Sequence, residues 1–217
     1  MALRNAIAEI RDLVVYGPVI PVIVIQRVED AVPMARALVS GGIRVLEVTL
    51  RTPVALAAMK AITAAVPEAI VGAGTLRSTA DAVAAKEAGC SFAVSPGFTL
   101  EIGKACRMQE LPLLPGVATA SEVMAANSDG YDFLKLFPAV VVGGVGMLKA
   151  LAGPFPNVLF CPTGGVTPEN AEQFLALANV PVCGGSWLTP EEAMRTGDWS
   201  RIRSLASHAA GLGKASR

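Results

Sequence analysis

Eight times along this chain a short apolar, β-branched run gives way to an Ala-rich stretch of helical period, with Gly or Pro at most of the junctions. The runs predict strands near 19–25, 44–49, 70–74, 91–95, 112–115, 131–136, 158–161 and 180–184. Helices are expected near 29–40, 53–65, 78–88, 99–108, 119–126, 144–152, 168–177 and 190–195, with another from about 199 and an opening helix over roughly 2–15. Ser78 ahead of Thr79, and Thr167 with Pro168 at the first helical position, read as helix starts, while Gly41 and Gly89 read as stops. Eight βα units in 217 residues imply an α/β protein, a compact (β/α)8 (TIM) barrel with an N-terminal helix, in a single domain over 1–217. The competing arrangement is a doubly wound sheet. Against it, no GxGxxG follows the first strand, and polar residues recur at many strand ends rather than at one switch point.

One of those strand ends carries a lysine inside an apolar hexapeptide, Phe133-Leu134-Lys135-Leu136-Phe137-Pro138. Period-2 alternation puts Tyr131, Phe133, Lys135 and Phe137 on one face and Leu134 and Leu136 on the other, so Lys135 projects among aromatics. Burying an ammonium is costly, and the setting favours the neutral amine, which can attack a carbonyl and form a Schiff base. The alternative is a lysine snorkelling to solvent from a strand end. In Arg44-Val45-Leu46-Glu47-Val48-Thr49-Leu50-Arg51 the same alternation turns Leu46, Val48 and Leu50 toward the helices, and Val45, Glu47, Thr49 and Arg51 toward the axis. Glu47 is then a buried carboxylate suited to moving protons, or else one half of a structural ion pair with Arg51 or Lys135.

Composition narrows the chemistry. Eighteen basic and eighteen acidic residues cancel, and only 5% of the chain is aromatic, so the footprint of a nucleic-acid binder is missing and a small-molecule partner is expected. No apolar run approaches membrane-span length, and Met1 to Asp12 shows neither a signal h-region nor a cleavage motif, so the expectation is a soluble cytoplasmic protein with no membrane partner. Cys90, Cys106, Cys161 and Cys183 are too dispersed for a CxxC motif and read as core thiols. The single histidine, His208, cannot build an imidazole metal cluster or a Ser-His pair; a carboxylate-only magnesium site is the alternative left open, but no paired acids at strand ends suggest one, so no metal site is expected.

The remaining strand ends look like binding loops. Val71-Gly72-Ala73-Gly74-Thr75 ends the third strand with small residues that clear space for a ligand, and the Thr75 hydroxyl is available to a substrate oxygen. Ser95-Pro96-Gly97 and Pro115-Gly116 are turn signals first. Pro162-Thr163-Gly164-Gly165 and Gly184-Gly185-Ser186 place two glycine pairs after the seventh and eighth strands, where barrels commonly bind phosphate through backbone amides.

Together these segments, with Pro18-Val19-Ile20-Pro21-Val22-Ile23 and Phe160-Cys161-Pro162-Thr163-Gly164-Gly165 in the same order, resemble the 2-keto-3-deoxy-6-phosphogluconate (KDPG) and 4-hydroxy-2-oxoglutarate (KHG) aldolase family over nearly the whole chain. The resemblance implies a metal-free, cofactor-free class I aldolase, usually a homotrimer, acting on a phosphorylated keto acid. It casts Lys135 as the Schiff-base lysine and Glu47 as the acid/base. It further implies that Arg51, Thr75 and Thr163 hold the keto acid's carboxylate and oxygens, that Pro96 and Phe137 line the pocket, and that Gly164, Gly165, Gly184, Gly185 and Ser186 cradle the phosphate. The chain departs from many relatives at the end of the first strand, where Val24, Ile25 and Gln26 precede Arg27, so anion binding is expected to lean on loop amides.

Overall fold

The computed structural model describes residues 8–213. All strand pairings are parallel. A six-stranded sheet runs in the order β5-β4-β3-β2-β1-β9, with β1 Val19–Ile23, β2 Val45–Thr49, β3 Ile70–Gly74, β4 Phe92–Val94, β5 Leu113–Leu114 and β9 Cys183–Gly185. A three-stranded sheet runs in the order β6-β7-β8, with β6 Gly116–Val117, β7 Phe133–Leu136 and β8 Leu159–Pro162. Helices follow the strands: α1 Ala31–Ser40, α2 Ala55–Ala65, α3 Thr79–Glu87, α4 Leu100–Met108, α5 Ala120–Ser128, α6 Gly144–Ala152, α7 Pro168–Leu175, α8 Glu191–Thr196 and α9 Trp199–Gly211. The expected helix start at Ser78 is a capping box, its hydroxyl accepting from Asp81 N while Asp81 Oδ2 accepts from Ser78 N.

Three expectations are corrected. Within the described part of the opening helix the chain is a 3-10 turn, Ile10–Tyr16, and the rest of the expected element, residues 2–7, lies outside the described residues. β-branched Val14 and Val15 crowd a helical turn, and the segment is tied down instead by Arg11, which bonds Asp132 and the carbonyl of Asn157. The single fifth strand is two pieces, because Pro115 has no N–H to donate to a ladder; its carbonyl accepts from Lys135 N at 2.8 Å, and pairing passes from β4 to β7 across it. The last strand begins at Cys183 rather than 180, since Val180 N is spent on a turn to Leu177 O.

The two sheets approach one another at both ends. β5 and β6 are separated by one residue, and Gly116 lies so near the end of β4 that an added Cβ would sit 2.7 Å from the Ser95 carbonyl oxygen. At the other end a parallel bridge joins Thr163 to Gly184, and Phe160 N donates to Asn179 O.

Burial follows the period-2 reading of the strands. Ile20, Val45, Ile70, Phe92, Val94, Leu114, Phe133, Cys161 and Val182 form one cluster, closed off by Leu13 of the 3-10 turn. Their neighbours on the opposite faces, among them Leu46, Val48, Val71, Ala73, Leu134 and Leu136, join a larger cluster under the helices with Met34, Leu38, Met59 and Ile62. Strands buried on both faces are the signature of a parallel α/β sheet.

Tyr131 departs from the pattern. The strand starts at Phe133, so alternation does not reach back to Tyr131, whose half-buried ring packs edge-on to Phe98 at 5.4 Å and under the Arg107 guanidinium. Its hydroxyl finds Arg107 at 3.3 Å there, a partner the strand interior does not offer.

Candidate active site

β2 and β7 carry Glu47 and Lys135 into the interior between the sheets, where each is almost fully buried. Lys135 Nζ donates to Glu47 Oε1 at 3.1 Å and lies 3.4 Å from Oε2. The pairing meets the requirement that neither charge be buried alone. It is also the contact across which a proton can pass. The Phe137 ring lies 5.4 Å from Nζ and covers it from the strand end. Beneath the pair, Cys161 stands opposite Lys135 in the β7–β8 ladder. Burial pushes the Cys161 thiol up to about 12 although Lys135 opposes the shift, so the floor under the amine is neutral and apolar.

The remaining candidate residues form smaller groups around this centre. Arg51, exposed just past β2, donates from Nε to Thr75 Oγ1 at 3.2 Å. Thr75 holds φ 63, a left-handed conformation that is an outlier for a β-branched residue. Thr163 is buried at the end of β8, with its hydroxyl 3.4 Å from its own strand's Cys161 carbonyl oxygen. Gly164 and Gly165 follow at φ 96 and 78, so the loop turns back in a shape that other residues resist. That turn is zipped to the one after β7: Thr163 N donates to Leu136 O, Ala139 N to Thr163 O, and Val140 N to Gly164 O. Pro96 is half-buried in the turn beyond β4, and Ser186 is exposed beyond β9.

Several glycines serve packing. An added Cβ at Gly72 would run into the Phe92 ring, and one at Gly74 into the Glu47 carboxylate. At Gly184 it would lie 3.0 Å from Thr163 Cγ2, and at Gly185 2.6 Å from the Trp187 ring. The space that the third strand clears is thus filled by the protein's own side chains, a correction to its reading as room for a ligand. Ser95, read as a turn residue, is fully buried, and its Oγ has no hydrogen-bond partner. Arg27 is committed to Asp30 through two 2.8 Å bonds. Among the described residues no group of three or more His, Cys, Asp or Glu side chains is placed to hold a metal ion.

A parallel α/β fold that pairs a buried amine with a carboxylate at its strand ends has the layout of a lysine-dependent enzyme acting on carbonyl compounds. The family described as "Aldolase: KDPG and KHG aldolase" matches residues 10–205, and the chain belongs to that family. The KHG/KDPG aldolase of Escherichia coli K12 is 49% identical over 207 residues, covering 95% of this chain and 97% of that protein. The 2-dehydro-3-deoxy-phosphogluconate aldolase of Pseudoalteromonas atlantica is 49% identical over 199 residues, covering 92% and 93%. Among solved structures, the KDPG aldolase of Legionella pneumophila, with pyruvate captured at low pH as a covalent carbinolamine intermediate, superposes with a TM-score of 0.89 at 48% identity, covering 92% of this chain and 97% of that one. The Zymomonas mobilis ZM4 enzyme with 3-phosphoglycerate gives 0.90 at 46% identity, covering 97% and 99%.

Proposed function

We propose that this protein is a class I aldolase that cleaves 2-keto-3-deoxy-6-phosphogluconate to pyruvate and glyceraldehyde 3-phosphate, and 4-hydroxy-2-oxoglutarate to pyruvate and glyoxylate. The observation that carries the reading is the buried Lys135–Glu47 contact in a chain that belongs to the KDPG and KHG aldolase family. Glu47 takes a proton from Lys135, and the neutral amine attacks the C2 ketone. Glu47 returns that proton to the carbinolamine hydroxyl, which leaves as water, and the resulting iminium draws electrons from the C3–C4 bond. Glu47 accepts the C4 hydroxyl proton as that bond breaks, the aldehyde leaves, and the enamine is protonated at C3 and hydrolysed to pyruvate. The carbinolamine captured in the Legionella relative supports the first step.

In this reading Arg51, Thr75 and Thr163 hold the keto acid's carboxylate and oxygens, and Pro96 and Phe137 wall the pocket. Amides of Gly164, Gly165, Gly184 and Gly185, with Ser186, take the phosphate. The left-handed turn at Gly164 and Gly165 supports this, as does the occupation of Arg27 by Asp30, which leaves oriented amides as the fitting anion donors. The bridge between Thr163 and Gly184 supports a closed (β/α)8 barrel in one domain. We place it in the cytoplasm, a reading supported by four free, buried cysteines. We assign it a homotrimer; exposed Val140 and Val141 beside the β7 turn, and a 26% identical neighbour in a cage designed by fusing symmetric oligomeric domains, support self-association.

Incubation with pyruvate and sodium borohydride tests the mechanism. A reduced pyruvyl adduct that maps to Lys135 is expected, with Lys135→Ala folded, unlabelled and inactive. An unmodified intact mass, or cleavage retained by Lys135→Ala, overturns the covalent route in favour of a non-covalent phosphosugar enzyme.

A further inference from the structure

We infer that Gly74 is a positioning residue for the reaction: its missing side chain is the space in which the Glu47 carboxylate reaches Lys135. Gly74 ends β3 in register with Thr49, one inward position beyond the Glu47–Gly72 pair. Glu47 leans toward the strand ends and lies over the Gly74 backbone. A Cβ built on Gly74 meets Glu47 Oε1 inside contact distance, with Cγ at 2.6 Å and Cδ at 2.9 Å, and nothing else comes as near. The backbone does not explain the glycine, because Gly74 has no positive φ and is the last residue of a strand, an element in which glycine is disfavoured. Nor does a hard wall. The atoms in the way belong to one flexible side chain that can rotate about its own bonds, unlike the Phe92 ring against Gly72. A methyl group at position 74 therefore turns the carboxylate away from the 3.1 Å contact with Nζ and leaves the strand in place.

This rests on Glu47 as the acid/base, and two cycles separate the two ideas. In the activity cycle, Gly74→Ala lowers kcat at least tenfold with little change in KM, and shifts the pH-rate limb that Glu47→Gln abolishes. The double variant Glu47→Gln/Gly74→Ala is no more than about threefold slower than the slower single variant, since residues acting as a unit are not additive. Gly74→Ala at wild-type turnover, or losses that multiply in the double variant, overturn the inference. Wild-type turnover by Glu47→Gln alone instead overturns the acid/base reading and leaves the steric coupling to the second cycle.

That cycle reads thermal unfolding. Gly74→Ala is placed in the wild type and in a Glu47→Ala/Lys135→Ala parent, which removes both charges so that neither is buried alone. Any lowering of Tm by Gly74→Ala in the wild type disappears in the parent, and a variant that folds only in the parent supports the steric coupling equally. An equal Tm loss in both backgrounds, or failure to fold in both, makes Gly74 a residue of the fold and overturns the inference.

Discussion

Thr75 is held at φ 63 by the residues around it, with its hydroxyl bonded to Arg51 Nε. A β-branched residue in that region costs about 1–3 kcal/mol, and such strain gathers where a group must be aimed. Thr75→Gly removes strain and hydroxyl together, and the flexible unfolded glycine returns roughly 0.5–1 kcal/mol of the gain. The expected outcome is equal or higher stability in urea with a lowered kcat/KM. Thr75→Val keeps the strain and loses the hydroxyl, so it matches the activity loss without the gain in stability. Activity retained by both variants removes Thr75 from the site. Lys135 and Glu47 are legible in the sequence because a charge inside an alternating apolar run can point only inward or out, and the apolar flanks exclude the outward choice. The purposes of Gly72, Gly74 and Gly184 are not legible, since a glycine does not say what occupies the volume its side chain leaves. Alternation misplaces Tyr131 because it carries the pattern two residues beyond a strand that starts at Phe133.

At the scale of elements, β3 shows how one strand serves packing and site at once. Gly72 faces Phe92 across the β3–β4 ladder, and the fully buried ring occupies the place a Cβ would take. Gly72→Ala overpacks a core with no loose side chain to move, so a loss of about 1–3 kcal/mol is expected in chemical denaturation. Phe92→Leu in the same chain should recover part of it, and an unchanged midpoint for Gly72→Ala would mean the two strands can separate without cost. Strand and helix order is legible because short, mostly apolar runs alternate with stretches of helical period, and Gly or Pro marks most of the junctions between them. The interruptions are not. The turn at Ile10–Tyr16 is set by Arg11 reaching Asp132 and Asn157, partners 121 and 146 residues away in sequence. The break at Pro115 depends on which neighbour would have received the missing N–H.

Across the whole molecule the buried amine and carboxylate meet at the strand ends, and four buried thiols add no charge to the interior around them. Burial pushes Cys90 and Cys161 up to about 12 and Cys106 up to about 11, and it raises Cys183 as well. The unfolded chain releases these protons near the ordinary value of 9.0 while the folded chain holds them. Between those limits the native state binds more protons than the unfolded state, so stability falls as pH rises. The contribution is whole below about pH 9 and drains away toward about pH 12, at roughly 1.4 kcal/mol per thiol for each pH unit. Cys90, which touches Met59 under the helices and is remote from the catalytic pair, isolates one thiol's share. Cys90→Ala loses packing and starts less stable at pH 7, yet its stability declines less steeply above pH 9. Urea unfolding of the two proteins from pH 7 to 11 should therefore give curves that converge by roughly 1.4 kcal/mol per unit. Parallel curves would show that Cys90 meets solvent through local opening before the molecule unfolds, and that the interior is less sealed than its burial implies.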